Sequence, residues 1–421
     1  MSKGMGSRGG GFEGARIDGA RLWESLETMA RIGPGVAGGC NRQALTDEDR
    51  AGRDLFVGWA RECGCDIQID EVGNIFARRP GSDPDAAPVL AGSHLDTQGS
   101  GGRFDGVYGV LAGLEVVRTL RDLGITTRRA IEVAVWTNEE GCRFAPAMLG
   151  SGVVAGVYTR DFAYASTDKS GRRFGDELAR IGYRGTLPAA PRPYAGMFEV
   201  HIEQGPILEH EGITIGVVTG IQGAYWFDVT LTGQSCHAGP TPMQMRRDPW
   251  RAAIEIIGGV FALVAQSGPL ARCTFGDMKA EPGARNTVPG LLRFPIDLRH
   301  PDPQVLATMV ASMHALIARA CQQHGITPTV EQVWHMPATR FDAALVDIVD
   351  AAAAHLGYSR RHMVSGAGHD SLHTAQFAPT AMIFVPCAGG LSHNEAEDAT
   401  PEDLAAGANV LLHALLQSAN T

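Results

Sequence analysis

Apolar residues recur at helical intervals from Arg21 to Arg31 and from Thr46 to Cys63, and the second stretch opens on Thr46-Asp-Glu-Asp49, a capping cluster. The pattern then changes. Pro88-Val-Leu-Ala-Gly-Ser-His94 and Ala130-Ile-Glu-Val-Ala-Val-Trp136 are short apolar runs that stop at polar residues, and they read as strands. Between them Val107, Val110, Leu111, Leu114, Val117 and Leu120 fall three and four apart, which predicts an amphipathic helix. Strand, helix, strand is the βαβ unit of a largely parallel sheet.

From about Gly220 a second pattern takes over. It predicts strands over 226–232, 272–278, 291–298 and 326–333, with helices over 249–265 and 303–324. The order β-α-β-β-α-β is a ferredoxin-like split βαβ unit. Helical and strand patterns then resume, with Ala381-Met-Ile-Phe-Val385 as a buried strand. The fold expected is α/β: a domain with a mainly parallel sheet, residues 15–219 and 334–421, interrupted by a ferredoxin-like α+β insertion over 220–333. Met1 to Gly14, mostly Gly with Lys and Arg, lacks the apolar stretch of a signal peptide and is expected to be a disordered tail.

Composition narrows the partners. At 421 residues and 44% hydrophobic, the chain can bury more than one core. Lys and Arg total 36 against 46 Asp and Glu, a formal charge of −10. That balance argues against nucleic acid or an anionic membrane as partner. The apolar runs are broken by charge, as Glu255 breaks Ala252 to Ala265, so no run is expected to approach the roughly 20 residues that cross a bilayer. The 8 cysteines are scattered without a CxxC pair, which points to reduced thiols and a cytoplasmic setting.

The chemistry gathers where strands end. Gly92-Ser-His94-Leu-Asp96 closes one strand, and Asp105-Gly106 opens the helix after it. Trp136-Thr-Asn-Glu139-Glu140 closes another, His201-Ile-Glu-Gln204 a third, and Ser392-His393 follows the last. Ligands of open α/β sheets bind outside the carboxyl ends of the strands, so these segments should share one crevice. His94, Asp105, Glu140, His201 and His393 offer three imidazoles and two carboxylates, a set suited to zinc, manganese, cobalt or nickel. Two ions need a shared carboxylate, and Asp105 is the natural bridge. The Asp96 carboxylate can accept the second ring N–H of His94. Glu139 and Glu140, adjacent at a strand exit, point to different sides, so one can ligate while the other serves as general base. Each segment alone also has a plainer reading: a hydrogen-bonded histidine, a helix cap, a solvated acidic pair.

These segments resemble the M20-type metallohydrolases, specifically the hydantoinase/carbamoylase branch that acts on N-carbamoyl amino acids and ureido acids. The resemblance rests on Gly92-Ser-His-Leu-Asp-Thr97, Gly101-Gly-Arg-Phe-Asp-Gly-Val107, Trp136-Thr-Asn-Glu-Glu-Gly141 and Phe144-Ala-Pro-Ala-Met-Leu-Gly-Ser151. It continues through His201-Ile-Glu-Gln-Gly-Pro206, His237-Ala-Gly-Pro-Thr-Pro-Met243, Ile296-Asp-Leu-Arg299 and Ser392-His-Asn-Glu-Ala-Glu397. It covers nearly the whole chain, with the motifs in order. It implies a zinc-exopeptidase-like catalytic domain and a lid and dimerisation domain in the insertion. It also implies two divalent ions held by His94, Asp105, Glu140, His201 and His393, with Asp105 bridging and Glu139 as base.

Further roles follow from the same resemblance. His237 of a partner subunit would stabilise the oxyanion. Gln204, Asn286 and Arg299 would bind substrate, Arg299 taking its carboxylate, with Gly366 and Ala367 lining the pocket by their backbone. Read alone, Arg299 is more readily a surface ion-pair partner at a strand end than a substrate ligand. Cys236 and Pro240 depart from the small residue and the Thr common beside that histidine. The implied function is a two-metal amidohydrolase that releases amino acid, carbon dioxide and ammonia from a small ureido acid, as a homodimer. The alternatives are an M20 N-acyl amino acid deacylase or dipeptidase, and a catalytically silent binding homologue.

Overall fold

Thr46 caps the second predicted helix: its Oγ1 accepts the Asp49 N–H at 3.2 Å, and the helix runs Asp47–Glu62 with three acids in its first turn. One turn on, Asp49 and Arg53 form a fully buried ion pair at 2.9 Å, and Arg53 also donates to the Gly73 carbonyl at 2.8 Å. Paired and hydrogen-bonded charge is the form in which burial is tolerated. The computed structural model describes residues 14–421, so the expected tail, Met1 to Gly14, lies outside the described residues except for Gly14.

The chain divides into two units. One comprises the residues up to Thr219 with Phe341–Thr421, and the other is Gly220–Arg340. The second ends beyond the expected 333 because its last strand, Thr327–Met336, stays paired until Met336 faces Ala224.

In the first unit the sheet order is Asp66–Ile69, Ile75–Arg79, Ile131–Trp136, Val89–His94, Gly196–Ile202, Thr380–Val385 and Ile215–Ile221, with Arg360–Ser365 also pairing the last. The four central strands are parallel. The flanks are antiparallel, so the mainly parallel sheet expected holds only for the centre. All four central strands are buried along their whole length, as strands covered on both faces must be.

The helix Val107–Asp122 crosses from Val89–His94 to Ile131–Trp136, and every residue from Val107 to Leu120 is buried. It is therefore not amphipathic in place. Its polar side receives the helices Gly19–Ala30 and Pro401–Asn420. There the buried Glu115 takes the Arg21 guanidinium at 2.7 Å, and Arg118 donates to Ser25 at 2.8 Å.

The second unit is a wholly antiparallel sheet in the order Lys279–Glu281, Leu291–His300, Gly223–Thr232, Thr327–Met336. The strand expected over 272–278 is broken. Arg272–Thr274 and Lys279–Glu281 lie separately along the same strand, Leu291–His300. Counting these two as one, the order is that of a split βαβ unit. Alternate residues Phe227, Val229 and Leu231, with Leu292, Phe294, Ile296 and Leu298, face one way. They form a core with Ile256 and Val260 of the helix Pro249–Gln266 and with Leu306, Met309, Met313 and Ile317 of the helix Pro303–His324. Against expectation, Pro303–His324 is long and apolar enough, by length and composition, to cross a bilayer. Its Leu306-to-Cys321 face is core-packed here.

Candidate metal centre

His94 is the last residue of its strand, and Asp105 precedes the helix Val107–Asp122 across a turn at Gly106. Gly106 has φ of 68°, and a Cβ there would lie 2.2 Å from the His94 ring. Only glycine fits both the left-handed backbone and that approach. His201 is the penultimate residue of Gly196–Ile202, parallel to Val89–His94. Glu139 and Glu140 follow the third parallel strand, and His393 follows Thr380–Val385 in a loop. Asn138, Gln204 and His393, at φ of 58°, 56° and 53°, are three of the five non-glycine residues with positive φ among the described residues. Such strain concentrates where the fold aims functional side chains.

Asp105 stands between three imidazoles. Its Oδ1 is 3.2 Å from His201 Nε2 and 3.8 Å from His94 Nε2, and its Oδ2 is 3.4 Å from His393 Nε2. Glu140 Oε2 is 3.3 Å from His393 Nε2, while Glu139 Oε2 turns the other way, 3.5 Å from His94 Nε2. Two sets of donor atoms therefore each lie within 4.8 Å of one another: His94, Asp105 and His201, and Asp105, Glu140 and His393. The first set is buried, whereas the His393 side chain is 53% exposed.

Burial lowers His94 to about 4. Burial would also lower His201, but the Asp105 carboxylate, by hydrogen bond and charge, with Glu199 behind it, lifts it to about 9. Asp105 is held well below the usual carboxylate range, its burial outweighed by His201, His94 and His393. Glu139 is pushed far up by burial and then by the charges of Asp370, Glu140, Asp105 and Asp96. Glu140 rises for the same reasons, burial first and then Asp105 and Asp96. Acids crowded in this way call for a cation between them. Imidazole and carboxylate donors without thiolate suit a divalent ion of the zinc-to-manganese range. The residues present fit a metal.

Asp96 corrects one expectation. His94 Nδ1 is held by the backbone carbonyl of Asp96 at 2.8 Å. The Asp96 carboxylate instead accepts the N–H groups of Glu139 at 3.3 Å and Glu140 at 3.2 Å. Two residues beyond a strand end, the chain has turned, so the side chain faces the neighbouring loop. Gln204 Nε2 donates to Asp105 Oδ2 at 3.0 Å and reaches Ser392 Oγ at 3.1 Å, which draws it to the same cluster. Gly366 and Ala367 follow the strand Arg360–Ser365, where Ser365 Oγ accepts the Ala367 N–H at 3.1 Å.

The remaining expected residues belong to the second unit. His237 pairs with Thr287 in a two-residue ladder, and the Ala238 N–H donates to the Asn286 carbonyl at 2.9 Å, so His237 and Asn286 are neighbours. Arg299 forks onto Asp297, Nε at 3.0 Å and Nη2 at 2.8 Å.

Four residues to which the sequence assigned no role belong to the centre, although Ser392 and Glu397 stand in its last motif. Glu199 lies behind His201, accepting Ser93 Oγ at 2.8 Å and Ser371 Oγ at 2.5 Å. His369 stands edge-on to His201, with ring centroids 4.6 Å apart. Glu199, His201 and His369 form a further group with metal-binding spacing. Strand alternation, which puts residues 199 and 201 on one face, was a usable signal for Glu199. Glu397 and Ser392 bind the Asp105 segment, and Glu397 is lifted to about 7 by burial and then by Asp105.

Residues 90–417 match the family described as Peptidase family M20/M25/M40. The chain is 52% identical over 407 residues to the N-carbamoyl-L-amino-acid amidohydrolase of Rhizobium meliloti, covering 97% of this chain and 98% of that one. It is 36% identical over 409 residues to the N-carbamoyl-L-amino acid amidohydrolase of Geobacillus stearothermophilus, covering 96% and 99%. A crystal structure of an amidase of the hydantoinase/carbamoylase family from Burkholderia multivorans matches with a TM-score of 0.94 at 52% identity, covering 97% and 99%.

Proposed function

The chain belongs to peptidase family M20/M25/M40, and on that premise we propose that it is a metal-dependent amidohydrolase of N-carbamoyl amino acids, releasing amino acid, carbon dioxide and ammonia. Relatives of that name at 52% and 36% identity over nearly the full chain support the reading. The observation that carries it is Asp105 shared between two three-donor groups, with Glu139 beside them and outside both.

Two divalent ions would be held by His94, Asp105 and His201, and by Asp105, Glu140 and His393. A ureido carbonyl is deactivated by its two nitrogens, and ions in these positions would polarise it and acidify the attacking water. Glu139 does the proton work. Its Oε2 accepts a proton from the water and returns it to the leaving nitrogen. Asp96 fixes the backbone of Glu139 and Glu140 through both carboxylate oxygens. Gln204, tied to Asp105, and the Gly366-Ala367 backbone contact the substrate. The Gly220–Arg340 unit acts as lid and dimerisation domain. It contributes Asn286 to bind the substrate, Arg299 to take its carboxylate, and His237 for the oxyanion of the partner's reaction.

Consumption of each compound, followed by chromatography with ammonia release beside it for the ureido acids, decides the reading. The panel is N-carbamoyl-α-amino acids of both hands, N-carbamoyl-β-alanine, allantoate, a dipeptide set and N-acetyl amino acids, each with metal-loaded protein. Turnover of an N-carbamoyl amino acid above all dipeptides and N-acetyl compounds is expected. Faster turnover of a dipeptide or an N-acetyl compound overturns it.

A further inference from the structure

The two donor groups are built differently. In the inner group, His94 and His201 lie within strands, and each ring is held by a backbone carbonyl, Asp96 at 2.8 Å and Ile202 at 2.9 Å. In the outer group, Glu140 and His393 stand on loops, and His393 has left-handed backbone. The sheet does not hold the His393 loop against Asp105. Glu397 spans that gap. Its Oε1 accepts the N–H groups of Phe104 at 2.9 Å and Asp105 at 3.1 Å, while its Oε2 accepts the Ser392 hydroxyl at 2.8 Å. Ser392 Oγ is also 3.0 Å from Asp105 Oδ2. The carboxyl is buried and lies so close to Gly102 that a Cβ there would come within 1.9 Å of it.

We propose that Glu397 is the positioning residue of the outer group, locking the loops of Asp105 and His393 together so that Asp105, Glu140 and His393 converge on one ion. The inference rests on the two-ion reading of the site and assigns one of the two ions a dependence on this carboxylate. The inner group leans on it less, because its two imidazoles are set by the sheet and only the shared Asp105 touches Glu397. An amide at 397 can keep the arrangement: its oxygen accepts the two backbone N–H groups, and its NH2 donates to Ser392 Oγ. An alanine cannot.

Cobalt(II) titrated into metal-stripped full-length protein, followed by visible absorption and calorimetry, tests this. Wild type is expected to saturate at two equivalents. E397A should keep one site near wild-type affinity and bind the second at least about tenfold more weakly, the low end for loss of an outer-shell partner. E397Q should recover the second site. S392A, which removes one arm of the clamp, should weaken the same site alone and carries the test should E397A fail to fold. Two sites of wild-type affinity in E397A overturn the inference and leave the two-ion reading standing. Equal weakening of both sites without rescue by E397Q overturns it as well, since that is general destabilisation. A wild type that saturates at one equivalent overturns the two-ion reading and the inference together.

Discussion

His94 Nδ1 lies 2.8 Å from the main-chain carbonyl of Asp96, and the Asp96 carboxylate turns to the N–H groups of Glu139 and Glu140 at 3.3 and 3.2 Å. One residue thus serves both sides of the centre, by backbone on one and by side chain on the other. Burial lifts its carboxyl to about 7.

Asp96→Asn should therefore separate the two services. The His94 ring keeps its carbonyl, so inner-group metal affinity stays near wild type. The Glu139-Glu140 turn loses one of its two acceptors to an NH2 group that faces an N–H. The expected result is a fall in kcat of about 10–100-fold, typical of an outer-shell partner. Calorimetric metal affinity with parallel kinetics reads this, and a variant that loses metal while its metal-saturated kcat stays intact contradicts it.

Glu139→Gln keeps size and hydrogen-bonding reach but removes the proton acceptor. Glu139 belongs to neither three-donor group, so metal content should remain near normal. Turnover of an N-carbamoyl amino acid should drop by roughly 10²–10⁴-fold, the usual worth of a general base. Elemental analysis beside ammonia release checks both halves, and a variant above a tenth of wild-type rate would remove Glu139 from its role.

Asp70 sits away from the donor groups and makes a stability prediction. It is fully buried, accepts the Val72 and Asn74 N–H groups, and is lifted by desolvation from near 3.8 to about 7. A folded-state pKa raised above the unfolded one means the native state binds more protons in between, so stability falls as pH rises from about 4 to about 7. Its contribution is complete below about 4. Asp70→Asn removes this slope, which is worth as much as roughly 4 kcal/mol across the window, at a small constant loss from the Asn74 side-chain bond. The melting temperature of the variant should change less than that of wild type between pH 4.5 and pH 7.5. An unchanged difference would mean that Asp70 ionises normally.

Much of this was readable in the chain, and the failures share a cause. His94, Asp105, Glu140, His201 and His393 are near strand ends in sequence, and parallel strands bring such ends to one edge, so period and position sufficed to gather them. The direction of Asp96 was not readable, because it depends on where the chain turns after the strand. Glu397 was equally hidden, since its partners Phe104 and Asp105 are nearly 300 residues away. Tertiary neighbours also buried the polar side of the helix Val107–Asp122, which local periodicity had assigned to solvent. The broken strand around residues 275–278 reflects pairing of its two ends with one partner, again a distant relationship.

Gly106→Ala tests whether the inner group depends on the backbone alone. The residue has φ of 68°, where a Cβ costs about 1–2 kcal/mol before any contact is counted. The added Cβ would also fall 2.2–2.3 Å from three atoms of the His94 ring, which therefore must swing away from Asp105. His201 Nε2, 3.1 Å from the Gly106 nitrogen, would shift with that turn. Both imidazoles of the inner group are thus disturbed, while Glu140 and His393 are not touched. The expected outcome is a melting temperature of the metal-free protein only a few degrees below wild type, with inner-group affinity reduced more than about tenfold and outer-group binding preserved. Circular dichroism melts beside cobalt titration separate the two effects. Loss of both sites together would show that the groups assemble as one unit through Asp105, and an unaltered titration would show that the His94 ring can accommodate the methyl without leaving its donor position.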